Sequence, residues 1–425
     1  MLRNEIDMER IQIIADFDWL DKPEIVGELG YERLRGSAAY NFSFDAIWLN
    51  KHKSFLLSGD LNNYIGIQHK TNSIFSCIAD AMPDRWGRRL IDKKEKLTAE
   101  QEGRLSRTLT DFDYLLQLSD VARTGGFRFL KNGEYVGLDD VRSIPPLTDL
   151  REFVDVAHKY ESCIEKNESI KEEWLKNLFR QGSSLGGARP KASVRDEKGY
   201  LCIAKIPSIA DDYDVALWEH FAHCLAKKTG ISVAETKLLQ LSGVKYHTLL
   251  SKRFDRIGEK RIHFASAMTL CDLHDGDDAN SGKGYLDIVD AIIGNTGIAE
   301  VSKNLLELYR RIAFNICIGN HDDHFRNHGF VLTKHGWTLS PAYDLNPTNE
   351  TTQSLLISQN SNDSSLQELL AAHNDYFLDF AEAKKCIDSV IQVVKSWRTV
   401  ARQCNISLAE QERFAQRIDT IVQDF

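Results

Sequence analysis

No long apolar run opens this chain. Met1-Leu2-Arg3-Asn4-Glu5 lacks the hydrophobic core of a signal peptide, and no window approaches the length of a membrane span. The eight cysteines (Cys77, Cys163, Cys202, Cys224, Cys271, Cys317, Cys386, Cys404) are scattered through apolar patterns. They read as reduced core residues of a cytoplasmic protein, with neither a disulfide framework nor a metal cluster. Internal repeats, low-complexity segments and an evident helix-turn-helix are also missing. A net charge of −9 argues against a surface that binds nucleic acid throughout, although a local basic face such as Arg85, Arg88 and Arg89 remains open.

What is there is an ordinary globular composition, 42% hydrophobic and 27% charged, over 425 residues. That length suits two or three domains with a large core. Short apolar runs punctuated by turn residues (Ile11 to Ala15, Phe42 to Leu49, Phe55 to Leu57) predict a small antiparallel sheet up to about residue 68. Within Phe75 to Leu90, Pro83 followed by Asp84 predicts the start of a helix. Thr110 to Leu118 predicts another, and Arg123-Thr124-Gly125-Gly126-Phe127 a glycine turn entering a strand. Two charged helices, Leu147 to about Ile164 and Ile170 to about Phe179, mark a candidate domain boundary.

Two stretches carry chemistry. In Ser183-Ser184-Leu185-Gly186-Gly187-Ala188-Arg189-Pro190-Lys191, hydroxyls precede the glycines and cations follow them. Such a loop can turn backbone N–H groups toward phosphate, although most Gly-Gly pairs are only turns. A hairpin follows, Ala192 to Val194 and Leu201 to Ile206, in which Lys205 interrupts an apolar run and calls for an anionic partner or a route to water. Asp214 to Thr229 predicts a helix whose Glu219 could reach Lys205. Strands near Leu238 and His247 then end in Lys252-Arg253-Phe254-Asp255-Arg256, a natural hinge.

The second stretch runs from Asn320 to Asp344. An apolar helix (Leu305, Tyr309, Ile312, Ile316) delivers the loop Asn320-His321-Asp322-Asp323-His324-Phe325-Arg326-Asn327-His328, and the strand Gly329 to Leu332 leads on to Pro341-Ala342-Tyr343-Asp344. Phosphoryl transfer needs hard oxygen ligands for Mg²⁺ and a base beside the acceptor hydroxyl. Asn327 and Asp344 can supply the first, and Asp322 the second. Zinc on His321, His324 and His328 is the weaker alternative, since no cysteine pair accompanies them. After Asp344 the chain turns polar, then predicts helices over 366–372, 380–399 and 408–422.

The segments S-S-L-G-G-A-R-P-K, I-A-K-I-P-S, K-R-F-D-R, N-H-D-D-H-F-R-N-H and P-A-Y-D-L-N-P, in this order, resemble the HipA family of bacterial serine/threonine kinases. A-M-P-D-R-W-G-R-R-L and R-T-G-G-F-R-F are similar to that family's N-terminal half. The resemblance implies an α+β, two-lobed protein-kinase-like fold. It comprises an N-terminal subdomain over 1–145, an N-lobe-like region with the glycine loop over 146–255, and a mainly helical lobe over 256–425. It also implies ATP and Mg²⁺ as cofactors. Asp322 would be the catalytic base, with Asn327 and Asp344 on the metal and Lys205 on the ATP phosphates. Gly186, Gly187 and Ala188 would cover the nucleotide, and backbone atoms of Lys252 and Phe254 would hold adenine. Ser184 or Ser183 would be autophosphorylated. The implied partners are a protein substrate, in such proteins often an aminoacyl-tRNA synthetase, and a HipB-like helix-turn-helix antitoxin that supplies any contact with DNA. A catalytically silent nucleotide-binding module and a small-molecule kinase are the competing readings.

Overall fold

Strand β1 (Glu9–Ala15) alternates surface residues with Ile11 and Ile13, both buried, as a half-covered strand should. The computed structural model describes residues 8–138, 144–166, 168, 170–180, 189–348, 350–423 and 425. Its contacts divide the chain into two units, Met1–Ala210 with Asp255–Ala265, and Asp211–Phe254 with Ser266–Phe425. Both strands and helices are abundant, giving the α+β class.

In the first unit, β2 (Glu24–Leu34) and β3 (Ser37–Phe44) extend the sheet from β1. The apolar run Phe42 to Leu49 is not one strand. Asp45 accepts from the Ile47 and Trp48 N–H groups at 2.8 and 3.1 Å. This cap stops β3 and starts α1 (Ala46–His52). Phe55 and Leu57 are buried but lie in a loop rather than a strand. β4 (Ile67–Thr71) completes that edge, followed by the single turn α2 (Ser76–Ala79).

The helix expected to start at Pro83 and Asp84 does so, as α3 (Arg85–Gln101), and it runs eleven residues past Leu90. Asp84 is its cap, accepting the Gly87 N–H at 2.7 Å. The same carboxylate lies 3.2 Å from the Lys191 ammonium, and both are buried. Lys191, one of the cations behind the glycine loop, is thus engaged inside the protein. Burial pushes the Asp84 carboxyl up, against the pull of Lys191. Arg88 pairs with Asp111 at 2.9 Å and covers the Tyr114 ring, while Arg85 and Arg89 stay exposed.

Next come α4 (Asp111–Gln117), capped reciprocally by Thr110 and Asp113, then β5 (Phe127–Lys131) and β6 (Glu134–Tyr135). The six strands order as β4-β3-β2-β1-β5-β6, each neighbouring pair described being antiparallel. Arg123 before β5 is fully buried, and it donates to the Leu115 and Leu118 carbonyls at 2.8 and 2.9 Å. Gly125 has φ +75°, and a Cβ on Gly126 would meet the Phe17 ring at 2.5 Å, so the glycine pair is demanded by this turn. The Gly125 N–H donates to Asp255 Oδ2 at 2.8 Å, and Arg256 donates to the Gly125 carbonyl at 3.1 Å. The end of the K-R-F-D-R segment therefore clamps the R-T-G-G turn.

α5 (Leu150–Glu165) and α6 (Glu172–Arg180) match the two charged helices expected. β7 (Lys191–Arg195) and β8 (Leu201–Lys205) pair as the hairpin read from the sequence, with Lys191 opposite Lys205. The glycine loop itself, with Ser183, Ser184, Gly186, Gly187 and Ala188, lies outside the described residues.

The chain then enters the second unit through α7 (Val215–Lys228), capped by Asp214, and the hairpin of β9 (Thr236–Leu239) and β10 (Thr248–Lys252). It returns to the first unit for a ribbon of β11 (Arg256–Ile257) and β12 (Lys260–Arg261), and leaves by β13 (His263–Ser266). The rest is mainly helical: α8 (Ala267–Leu270), α9 (Tyr285–Asn295) and α10 (Val301–Ile318) precede the hairpin β14 (Gly329–Thr333) and β15 (Gly336–Leu339). After it come α11 (Leu366–Ala371), α12 (Phe380–Val394), α13 (Trp397–Gln403) and α14 (Leu408–Gln423). The single helix expected over 380–399 is broken between Val394 and Trp397, where the Ser396 hydroxyl donates to the Val393 carbonyl at 2.8 Å. α10 is the core of this unit, with twelve of its residues buried. Among the described residues no helix is long and apolar enough to cross a membrane.

Candidate functional site

Helix α10 ends at Gly319, in the left-handed region at φ +70°. A Cβ there would also stand 2.4 Å from Arg417 Cδ. That arginine donates to the Thr348 carbonyl, and Thr348 returns an N–H to the Gly319 carbonyl at 2.9 Å. The glycine thus lets the chain reverse and the polar loop begin. Gly319→Ala is expected to lower stability by about 1–2 kcal/mol, the cost of a left-handed alanine, read as a lower urea midpoint with unchanged slope.

The loop 320–328 is held from within by a residue that sequence reasoning passed over. Asp323 is 2% exposed, and its Oδ2 accepts three hydrogen bonds. Asn315 Nδ2 donates at 2.7 Å, the Tyr285 hydroxyl at 2.8 Å, and His328 Nε2 lies at 2.9 Å. Burial alone would raise the carboxyl's pKa, but His328 and these donors hold it below the ordinary value. Asp323 is buried, whereas the adjacent Asp322 is exposed. Only one hint of this division was available beforehand: neighbouring residues in an extended loop point opposite ways.

Of the site residues expected from the sequence, Asp322 and Asn327 lie on this loop, and Asp344 acts on Asp322 through its charge. Asn327 is buried, and its Nδ2 donates to the Asp322 carbonyl at 2.9 Å. The amide's oxygen therefore remains as its acceptor end. Asp344 follows the hairpin at φ +57°, a left-handed conformation that aspartate tolerates, and its Oδ1 accepts from Asn346 Nδ2 at 3.3 Å. Asp322 and Asp344 are close enough to repel. Partial desolvation, with the charges of Asp344, Glu350 and Asp323, holds the Asp322 carboxyl above its ordinary value, against the opposing pull of His324. Carboxylates and an amide oxygen are donors of the kind that a hard divalent cation takes.

The histidines do not form the alternative zinc site. His321 Nε2 is 3.1 Å from the Ser364 hydroxyl, while His328 Nε2 is taken by Asp323. Burial and Arg417 push the His321 imidazole down to about 4, so it is neutral here.

Elsewhere, Lys205 sits at the end of β8, half-buried. The Lys252 N–H donates to the Glu235 carbonyl at 2.8 Å, so this part of the expected adenine-binding backbone is already engaged. Phe254 lies with its ring centroid 5.8 Å from that of Tyr343. Glu219 is buried on α7, 3.8 Å from His223.

A Sinorhizobium fredii protein named "Putative kinase Y4dM" is 29% identical over 265 residues, 57% of this chain and 61% of that protein. A Haemophilus influenzae protein named "Putative kinase" is 27% identical over 190 residues, 40% of this chain and 54% of that one. The chain thus spans between half and two thirds of the length of these curated relatives. The structure of Shewanella oneidensis MR-1 HipA, solved with HipB and its operator DNA, superposes with a TM-score of 0.62 at 16% identity, covering 97% of this chain and 96% of that one. The two share a fold. The family model for the HipA-like C-terminal domain matches residues 183–417, and the chain belongs to that HipA-like family.

Proposed function

We propose that this protein is a serine/threonine protein kinase dependent on ATP and Mg²⁺, of the HipA toxin type. The observation that supports it best is that Asn327 donates to the Asp322 carbonyl, while desolvation and the nearby Asp344 charge together raise the Asp322 carboxyl. In this reading Asn327 and Asp344 would hold the metal, whose charge would offset that of the transferred phosphate. Asp322 accepts the proton of the attacking hydroxyl. Lys205 binds phosphate oxygens, the backbone of Gly186, Gly187 and Ala188 covers them, and the Phe254 segment contacts adenine.

Phosphorylation of Ser184 or Ser183 would put nearly two negative charges into a loop meant to approach other phosphates. It would therefore switch the enzyme off. The acceptor in trans is a serine on a protein, an aminoacyl-tRNA synthetase being the class the family resemblance suggests. A HipB-like antitoxin is the proposed partner, and any contact with DNA runs through it. The Shewanella protein's own assembly with HipB and operator DNA supports the choice of partner.

Incubation with γ-labelled ATP and Mg²⁺, alone and with a cell lysate, tests the proposal. Label on Ser183, Ser184 or one lysate protein is expected. Label on a small molecule alone, or no label, would contradict it.

A further inference from the structure

Away from the catalytic loop, and within the same unit, an open hollow of about 580 Å³ lies beside α7 and the end of α13. His220 and Cys224 enter it from one face of α7, four residues apart, and Cys404 from just beyond α13. One ligand atom from each of the three lies within 4.8 Å of the others, the one such trio of histidine, cysteine or carboxylate ligands among the described residues. We propose that His220, Cys224 and Cys404 bind a zinc-class divalent cation, with the fourth position open to water or to an anion from the hollow.

The distances suit this. Tetrahedral zinc with its usual bonds to sulfur and nitrogen keeps its ligand atoms about 3.5–3.8 Å apart. Cys224 Sγ and His220 Nε2 are already 3.6 Å apart. The outer arrangement suits it as well. His220 Nδ1 is 2.9 Å from the Thr236 hydroxyl on β9, a contact that fixes the ring and directs Nε2 toward the sulfurs. Two thiolates and an imidazole select zinc-class ions over Mg²⁺ or Ca²⁺. Lys227 and Lys228 line the same hollow and favour the thiolate forms that binding requires. Each thiol gives up its proton to solvent as its sulfur binds the metal. The five buried cysteines have no such grouping among the described residues, and the half-buried Cys271 donates to the Asp287 carbonyl at 3.3 Å. The bound ion would tie α7 to the end of α13.

The test is a Co²⁺ and Zn²⁺ titration of the full-length reduced protein, compared with Cys224→Ser, Cys404→Ser, the double variant and Thr236→Val. One equivalent of Co²⁺ is expected, with the intense near-ultraviolet band of thiolate ligation and tetrahedral bands in the visible, displaced by Zn²⁺. Thr236→Val should weaken binding about 10–100-fold and each serine variant by more than that. Zn²⁺ should raise the unfolding midpoint of the wild type but not of the double variant. Uptake no tighter than that of the double variant would overturn the proposal. So would a mass two hydrogens lighter that marks a Cys224–Cys404 disulfide in protein kept under reductant.

Discussion

Asp322→Asn is expected to lower phosphotransfer turnover by on the order of 10² to 10⁴ while leaving the protein folded and able to bind ATP. Asparagine keeps the shape and removes only the basic oxygen. The stability control has a definite sign. The Asp322 carboxyl is raised in the folded protein, so its ionised form costs stability as pH climbs past the ordinary carboxylate value of 3.8. Removing it should leave neutral-pH stability unchanged or slightly higher. The pH profile adds a second check. A base must be deprotonated, so the acid limb of kcat/KM should fall at a pH above 3.8, and it should be missing from whatever activity the variant keeps. An unstable variant with proportionate loss of turnover would mean instead that Asp322 is structural.

Asp323→Ala, one residue away, should behave in the opposite manner and cost about 3–5 kcal/mol of stability. Removing one partner of a buried charged set strands the others. Here three groups, on Asn315, Tyr285 and His328, would lose their acceptor in the core of the second unit. Tyr285→Phe removes only one of the three bonds and should cost about 1 kcal/mol. The folded pKa of Asp323 is depressed, so its contribution is complete above 3.8 and is lost as pH falls through the lower folded value. The difference in stability between wild type and Asp323→Ala, measured by urea unfolding, should therefore shrink on acidification. A difference that grew would contradict the assignment.

This pair explains what the sequence could and could not reveal. Two consecutive aspartates look alike in one dimension. Their roles separate only when Tyr285, thirty-eight positions upstream, is folded against one of them. The elements read correctly were those whose pattern is local: the hairpin of β7 and β8, helix α7, and the helix, loop and strand around Asn320. Phe42 to Leu49 was misjudged because the cap at Asp45 outweighs the apolar residues on either side of it. Lys191 stands directly behind the glycine loop in sequence, but its partner, Asp84, is more than a hundred residues earlier. The His220, Cys224 and Cys404 trio was likewise invisible, because one of its members lies far along the chain. The cysteine spacings therefore carry no sign of it.

The most direct test of the central claim is the ATP affinity of the wild type and of Asp344→Asn, each measured with and without Mg²⁺. If Asp344 and Asn327 hold the metal beside the triphosphate, Mg²⁺ should tighten binding to the wild type at least about tenfold, roughly 1.4 kcal/mol. It should do little for the variant. Equal Mg²⁺ dependence in both proteins, or none in either, would contradict the account.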